Sequence, residues 1–251
     1  VTFGGSGNIT IPGTITIGSA GFTKDGSGTL TLTNANNYTG ETMVSAGILN
    51  IQHGSALGAS LLTTVAIGAS LQLQGGIAVG ALPLKLFSTG VSSLGVLRNI
   101  SGNNTWSGNI TASSAIRINS DADLLTLNAS NAITSTNIGI TFGGSGNILV
   151  DGTITTGTGA FTKDGAGTVT LNATNTYTGA TTITAGTILL GNNEVIANTS
   201  NIIFNGGTLS TNNFNETVGQ LILQNNATIA LGNSTHTLAF SSAGTFSFKR
   251  L

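Results

Sequence analysis

The chain has 251 residues, enough for a large buried core, yet only 6% of them are charged, against about 25% in an ordinary globular domain. The formal net charge is −1, and of seven Lys and Arg residues only Lys249 and Arg250 are adjacent, which excludes the basic field that nucleic acid requires. With no Cys, disulfides, thiolate catalysis and zinc-thiolate centres are excluded together.

From the N-terminus onward, short runs alternate apolar with small polar residues. They are Asn8-Ile9-Thr10-Ile11, Thr14-Ile15-Thr16-Ile17, Thr29-Leu30-Thr31-Leu32, Ile48-Leu49-Asn50-Ile51 and Leu71-Gln72-Leu73. Further along come Ala115-Ile116-Arg117-Ile118, Leu125-Thr126-Leu127, Thr168-Val169-Thr170-Leu171 and Ala227-Thr228-Ile229-Ala230-Leu231. Period two predicts strands with one buried face, and no segment holds a helical period for ten residues, so the fold class is all-β. The most apolar region, Ala56 to Leu97, is interrupted every few residues by Gly, Ser, Thr, Gln or Pro83, which excludes a transmembrane helix there. Val1 in place of Met predicts a mature or excised segment of a longer chain.

Single Gly residues separate the runs, and Asn36-Asn37 and Asn193-Glu194 stand where a sandwich would place Asn-Gly hairpins. Corners, not hairpins, predict a β-solenoid in which each rung lays its Ile, Val or Leu on the next about 4.8 Å away. At roughly 20 to 24 residues per rung, the chain makes a single solenoid over 1–251 of about ten to twelve rungs, on the order of 50 Å long. Thr, Ser and Asn on its outer face are expected to stack as ladders.

The chain also repeats itself. Residues 1–49 align without a gap to 140–188 with 29 identities, a shift of 139 residues and about six rungs. The first copy reads Phe22-Thr-Lys24-Asp-Gly26-Ser-Gly28-Thr-Leu30-Thr-Leu32, then Asn36-Asn-Tyr38-Thr-Gly40-Glu-Thr42-Met-Val44, then Ala46-Gly47-Ile48-Leu49. The second keeps Lys163, Gly165, Gly167, Leu171, Asn175, Tyr177, Gly179, Thr181, Ile183 and Gly186. A weaker echo is Gly102-Asn-Asn104-Thr-Trp106-Ser-Gly108-Asn-Ile110, with Trp in place of Tyr.

This motif resembles the autotransporter-associated β-strand repeat of passenger domains in Gram-negative type V secretion. The resemblance implies a right-handed parallel β-helix, secretion across the outer membrane through a C-terminal barrel that is absent from this sequence, and an extracellular, cell-surface location. Within the motif, Gly26, Gly28 and Gly40 are expected at corners with positive φ or close rung contact. Tyr38 and Tyr177 are expected to pack on an adjacent rung with the hydroxyl on solvent or a carbonyl. Lys24 and Lys163, each followed by Asp, read as exposed corner residues in weak surface pairs.

Chemistry finds little purchase. The acids Asp25, Glu41, Asp121, Asp123, Asp151, Asp164, Glu194 and Glu216 are scattered, and only Asp121-Ala-Asp123 places two on one strand face, near Arg117. A Ca²⁺ site or acid pair there competes with a plain turn over Ser120 to Ala122, where Asp bonds its own backbone. His53 and His236 lie far apart without ligand spacing, Trp106 reads as a stacking or core residue, and no cofactor or metal is implied.

The leading expectation is therefore a non-enzymatic surface passenger or stalk, adhesive toward host-cell or neighbouring-cell receptors. A self-assembling filament or surface-layer subunit is the alternative, since exposed rungs template further strands. A β-helical carbohydrate-active enzyme is the third reading and lacks its carboxylate cluster. Binding specificity is expected outside the copies, in Ser55 to Gly139 and Asn192 to Leu251.

Overall fold

Strands of two to eight residues, each closed off by a Gly-, Asn- or Ser-rich corner, can only bury their apolar side by coiling. The computed structural model describes residues 1–243 and consists almost entirely of such coils, with one 3₁₀ turn at Val91–Ser93. The adjacent cations Lys249 and Arg250 lie outside the described residues. Three parallel sheets of eight, twelve and eight strands form the sides of the solenoid, here faces one, two and three. Face two runs through twelve strands from Ile9–Ile11 to Leu238–Ala243, which gives about eleven turns and, at the usual strand spacing, roughly 50 Å of length. Successive strands step by between 19 residues, Thr168 to Thr187, and 27, Ala78 to Thr105. The long rung carries the Val91–Ser93 turn at its corner.

The core is a set of columns. On face two, Leu30, Leu49, Leu71, Leu97, Ile118 and Phe142 sit directly above one another, all buried. Burying each such side chain stabilises by about 1.5–3 kcal/mol, which is how strands of three or four residues persist. The outward column of face one is the expected ladder: Thr2, Thr23, Met43, Thr64, Lys85, Thr111, Thr134 and Thr155. Only Met43 and Lys85 interrupt its threonines.

All the alternating runs form strands except Thr14–Ile17. There the backbone N–H of Ile15 donates to the side chain of Asn36 at 2.7 Å, so a side chain replaces the strand ladder. Face three consequently begins its strands only at Ala78–Val79. On face one the last strand of that sheet is Ile154–Thr155, where the second copy brings the same substitution: Ile154 N–H donates to Asn175 Oδ1 at 2.7 Å.

This exchange follows from the length of the repeat. Phe22–Lys24 is a strand of face one and Phe161–Lys163 a strand of face two. The 139-residue shift is thus six turns and one further face, not a whole number of rungs. Val1 and Ile140 do not sit in register, and the copies are turned by one side of the prism.

Candidate functional site

Strand alternation decides where the motif's polar groups point. Phe22 faces in, Thr23 out and Lys24 in, so the lysine expected at an exposed corner is buried, with 3% of its surface accessible; Lys163 has 1%. Lys24 Nζ donates to the carbonyls of Asp25 (3.0 Å), Gly26 (2.8 Å) and, one turn on, Ala46 (3.1 Å). Lys163 Nζ donates to Asp164 (2.7 Å), Gly165 (2.8 Å) and Ala185 (3.3 Å). Each ammonium thereby uses its three donors on three carbonyls and ties one corner to the next. Burial lowers the Lys24 pKa against the pull of Asp25, and pushes Lys163 down to about 8, with Asp164 opposing. The corner itself needs Gly26 and Gly165, at φ +77° and +74°.

The next part of the motif bridges turns in the other direction. Asn36 accepts from Ile15 N–H and donates to Ala56 O at 2.6 Å; Asn175 accepts from Ile154 N–H and donates to Val195 O at 2.7 Å. Asn36, expected at a turn, is therefore an interior strut. Tyr38 and Tyr177 are fully buried, and their hydroxyls meet Thr42 Oγ1 (2.8 Å) and Thr181 Oγ1 (2.9 Å), neither solvent nor a carbonyl. Burial pushes the Tyr38 phenol up to about 12 and Tyr177 higher still. Each tyrosine ends an aromatic stack, Phe3–Phe22–Tyr38 and Phe142–Phe161–Tyr177, with ring centroids 5.2–5.7 Å apart. Such pairs contribute about 0.5–1.5 kcal/mol each beyond burial. The glycines after them are fixed by close approach: a Cβ on Gly40 would lie 2.7 Å from Gly21 N, and one on Gly179 within 2.5 Å of Gly159 C.

The echo repeats the inward half of this device. Asn104 Oδ1 accepts from Ile77 N–H at 2.7 Å and Trp106 is fully buried. The residue four beyond Trp106 is Ile110, where Tyr38 and Tyr177 have Thr, and Trp106 Nε1 is left without a hydrogen-bond partner.

Charged side chains form an outward network on face two that joins Arg98, Arg117 and Asp121, outside the copies, to Asp164 in the second copy. Arg98 pairs with Asp121 (Nε to Oδ1, 3.0 Å), Asn119 Nδ2 donates to Asp121 Oδ1 (2.7 Å), and Arg117 Nε donates to Asn119 Oδ1 (3.2 Å). Arg117 then grips Asp164 with both terminal nitrogens, at 2.7 and 2.6 Å. It reaches two turns ahead because Gly143 lies beneath; a Cβ there would collide with the guanidinium and the Asp164 carboxylate.

Asp121 and Asp123 do not form an acid pair. Asp123 turns the corner at φ +57° and accepts from Gly102 N–H at 2.7 Å, while Asp121 belongs to Arg98. The chain bends at residues 121–123, after a strand that includes Ser120, and the two carboxylates reach Arg98, Asn119 and Gly102 instead of the backbone of their own turn. His53 is exposed and accepts from Ser55 N–H; His236 sits 2.7 Å from Thr211 Oγ1. Among the described residues no three His, Asp or Glu side chains converge as a metal site would need.

Two features escaped sequence reading. Glu216 is buried, and an apolar patch lies on face one where the threonine ladder breaks. Met43, Thr64, Ala66, Ile67 and Phe87 line a shallow depression, with Lys85 Nζ 5.1 Å from the Phe87 ring centroid. Ile67 is 78% exposed and Leu61, just before the Thr63–Val65 strand, 73%. Most exposed large apolar side chains fall in the unmatched stretches: Leu61, Ile67 and Leu94 in one, Leu223, Ile229 and Leu231 in the other.

Comparison with known proteins bears on the repeated motif. The passenger-associated-transport-repeat family model matches residues 22–51 and 161–190. The Adhesin BmaC autotransporter of Brucella suis biovar 1 (strain 1330) is 32% identical over 119 residues, which is 47% of this chain and 3% of that protein. No solved structure matches. The two matches support an autotransporter passenger with its associated repeats, as the motif residues imply.

Proposed function

We propose that the chain is a non-enzymatic stretch of a secreted, surface-exposed autotransporter passenger, a rigid rod that carries an adhesive contact patch. The observation that carries this reading is the break in the face-one ladder. A column of threonines is well solvated, and exposed Met43 in it, with exposed Ile67 and half-buried Phe87 beside it, forms an apolar cluster that costs solubility unless something binds there. The adhesin relative supports the same reading. A non-enzymatic role is supported by how the acids are used, since Asp121, Asp123 and Asp164 are each committed to a corner or an arginine.

The test is binding of the purified segment to host and neighbouring bacterial cells, beside a Met43→Thr/Ile67→Thr variant. Both changes extend the outer surface pattern and leave the core alone. The expected outcome is several-fold weaker cell binding with unchanged thermal unfolding. Equal binding by the variant would move adhesion elsewhere, and no binding by either protein would reduce the segment to a spacer.

A further inference from the structure

Nearly every cation of the solenoid already has a partner. Lys24 and Lys163 are buried on carbonyls, Arg98 pairs with Asp121, and Arg117 holds Asp164. Among the described residues Lys85 is the one basic side chain that joins neither an ion pair nor a carbonyl staple. It stands on the outward column of face one, between Thr64 and Thr111, where the ladder is otherwise uncharged. Its ammonium lies 5.1 Å from the ring centroid of Phe87, a wall of the depression that Met43, Ala66 and Ile67 also line. That ring contact fixes where the charge sits and leaves the N–H donors to solvent.

An apolar depression beside one unpaired cation is complementary to an apolar group beside an anion. Nucleic acid and anionic membrane surfaces are poor occupants, because each is held by clusters of Lys and Arg, and here a single lysine faces out. Exposed Glu41, two residues before Met43, also opposes a broad negative surface. The Thr63–Val65 strand is paired on both sides, with Thr42–Val44 and with Leu84–Leu86, so an occupant engages side chains and adds no strand.

We propose that this site takes a surface segment of a partner protein in which a large apolar side chain stands beside an Asp or Glu. The apolar group enters between Met43, Ile67 and Phe87, and the carboxylate accepts from Lys85 Nζ. The inference rests on reading the patch as the adhesive contact and adds the chemistry of what is contacted. Apolar contact excludes water from the ammonium, and the ion pair strengthens as the local dielectric falls.

Met43 is the chain's single methionine, so a ¹³C-methyl label on it reports on this depression alone. The probes are acetyl-Phe-Glu-amide and its Gln and Lys counterparts, titrated into the native chain. The Glu peptide is expected to bind about fivefold tighter than the Gln peptide, the scale of one part-exposed ion pair, and the Lys peptide weakest. High salt should reduce that preference, and Lys85→Thr, which continues the threonine column, should abolish it. No binding of the Glu peptide, equal binding of Glu and Gln peptides, or an unchanged preference in Lys85→Thr overturns the proposal. Cell binding separates it from the reading beneath it. Loss in Met43→Thr/Ile67→Thr but not in Lys85→Thr keeps the adhesive patch and overturns the acidic partner, whereas no loss in either removes the patch itself. Binding that survives protease treatment of the cells overturns a protein partner.

Discussion

The two copies of the repeat share the devices that close one turn onto the next, though buried Leu30, Val44 and Leu49 stand as Val169, Ile183 and Ile188, and they differ at several positions outside. Phe3, Phe22, Lys24, Asn36, Tyr38 and Thr42 meet one another's turns as Phe142, Phe161, Lys163, Asn175, Tyr177 and Thr181 do, although the second copy sits one face further round. Outward residues have changed: Glu41 became Ala180 and Met43 became Thr182, while Asp25, which caps Gly26 N–H, corresponds to Asp164, which holds Arg117. A motif that works on two sides of the prism must be self-contained, carrying its own aromatic stack, carbonyl staple and interturn strut. What is repeated is the means of closing one turn onto the next.

Where the copies share chemistry, equivalent changes should cost alike, and where they differ the costs should separate. The largest effect is expected from Lys163→Met, which leaves the carbonyls of Asp164, Gly165 and Ala185 without their buried donor and should destabilise the local turns by about 3 kcal/mol. Lys24→Met should cost the same kind of energy, read by hydrogen exchange around Ala46. Because stacked turns unfold piecewise, local exchange is a better measure than a single melting curve.

Removing the tyrosine hydroxyl should split the copies. Thr181 also bonds Ser200 Oγ at 2.9 Å, so Tyr177→Phe leaves it satisfied and should cost under about 1 kcal/mol. Thr42 has no second hydroxyl partner of that kind, so Tyr38→Phe should cost about 1–2 kcal/mol. The smallest pair is glycine to alanine. Gly143→Ala should break the Arg117–Asp164 grip for about 1 kcal/mol or less, given its part-exposed setting. Gly4→Ala, whose Cβ would meet Asp25 only at 3.7 Å or beyond, should be neutral in a denaturant series.

Period-two alternation made most of the fold legible. It located the strands, and low charge with corner glycines pointed to a solenoid instead of a sandwich. The same alternation carried the lysine result unread: in Phe22-Thr23-Lys24 the outward residue is Thr23, so Lys24 must face in. Charge weighed more than phase in that reading, because a buried lysine is uncommon without partners. The carbonyls that hold it include one from the next turn, a contact invisible in sequence. The Arg117–Asp164 pair, 47 residues apart, and the burial of Glu216 depend on rung lengths that vary from 19 to 27 residues, so no fixed spacing reveals them. The face rotation was hidden for the same reason, since 139 residues resembles six rungs until each step is measured.

Amine acylation of the native chain, read residue by residue by mass spectrometry, tests most directly whether the repeated unit is an inward scaffold. Lys85, on the outward column of face one, should react readily, and Lys24 and Lys163 should be modified only when the chain is unfolded. Modification of Lys163 at the rate of Lys85 would place the motif lysines on the surface and contradict the account.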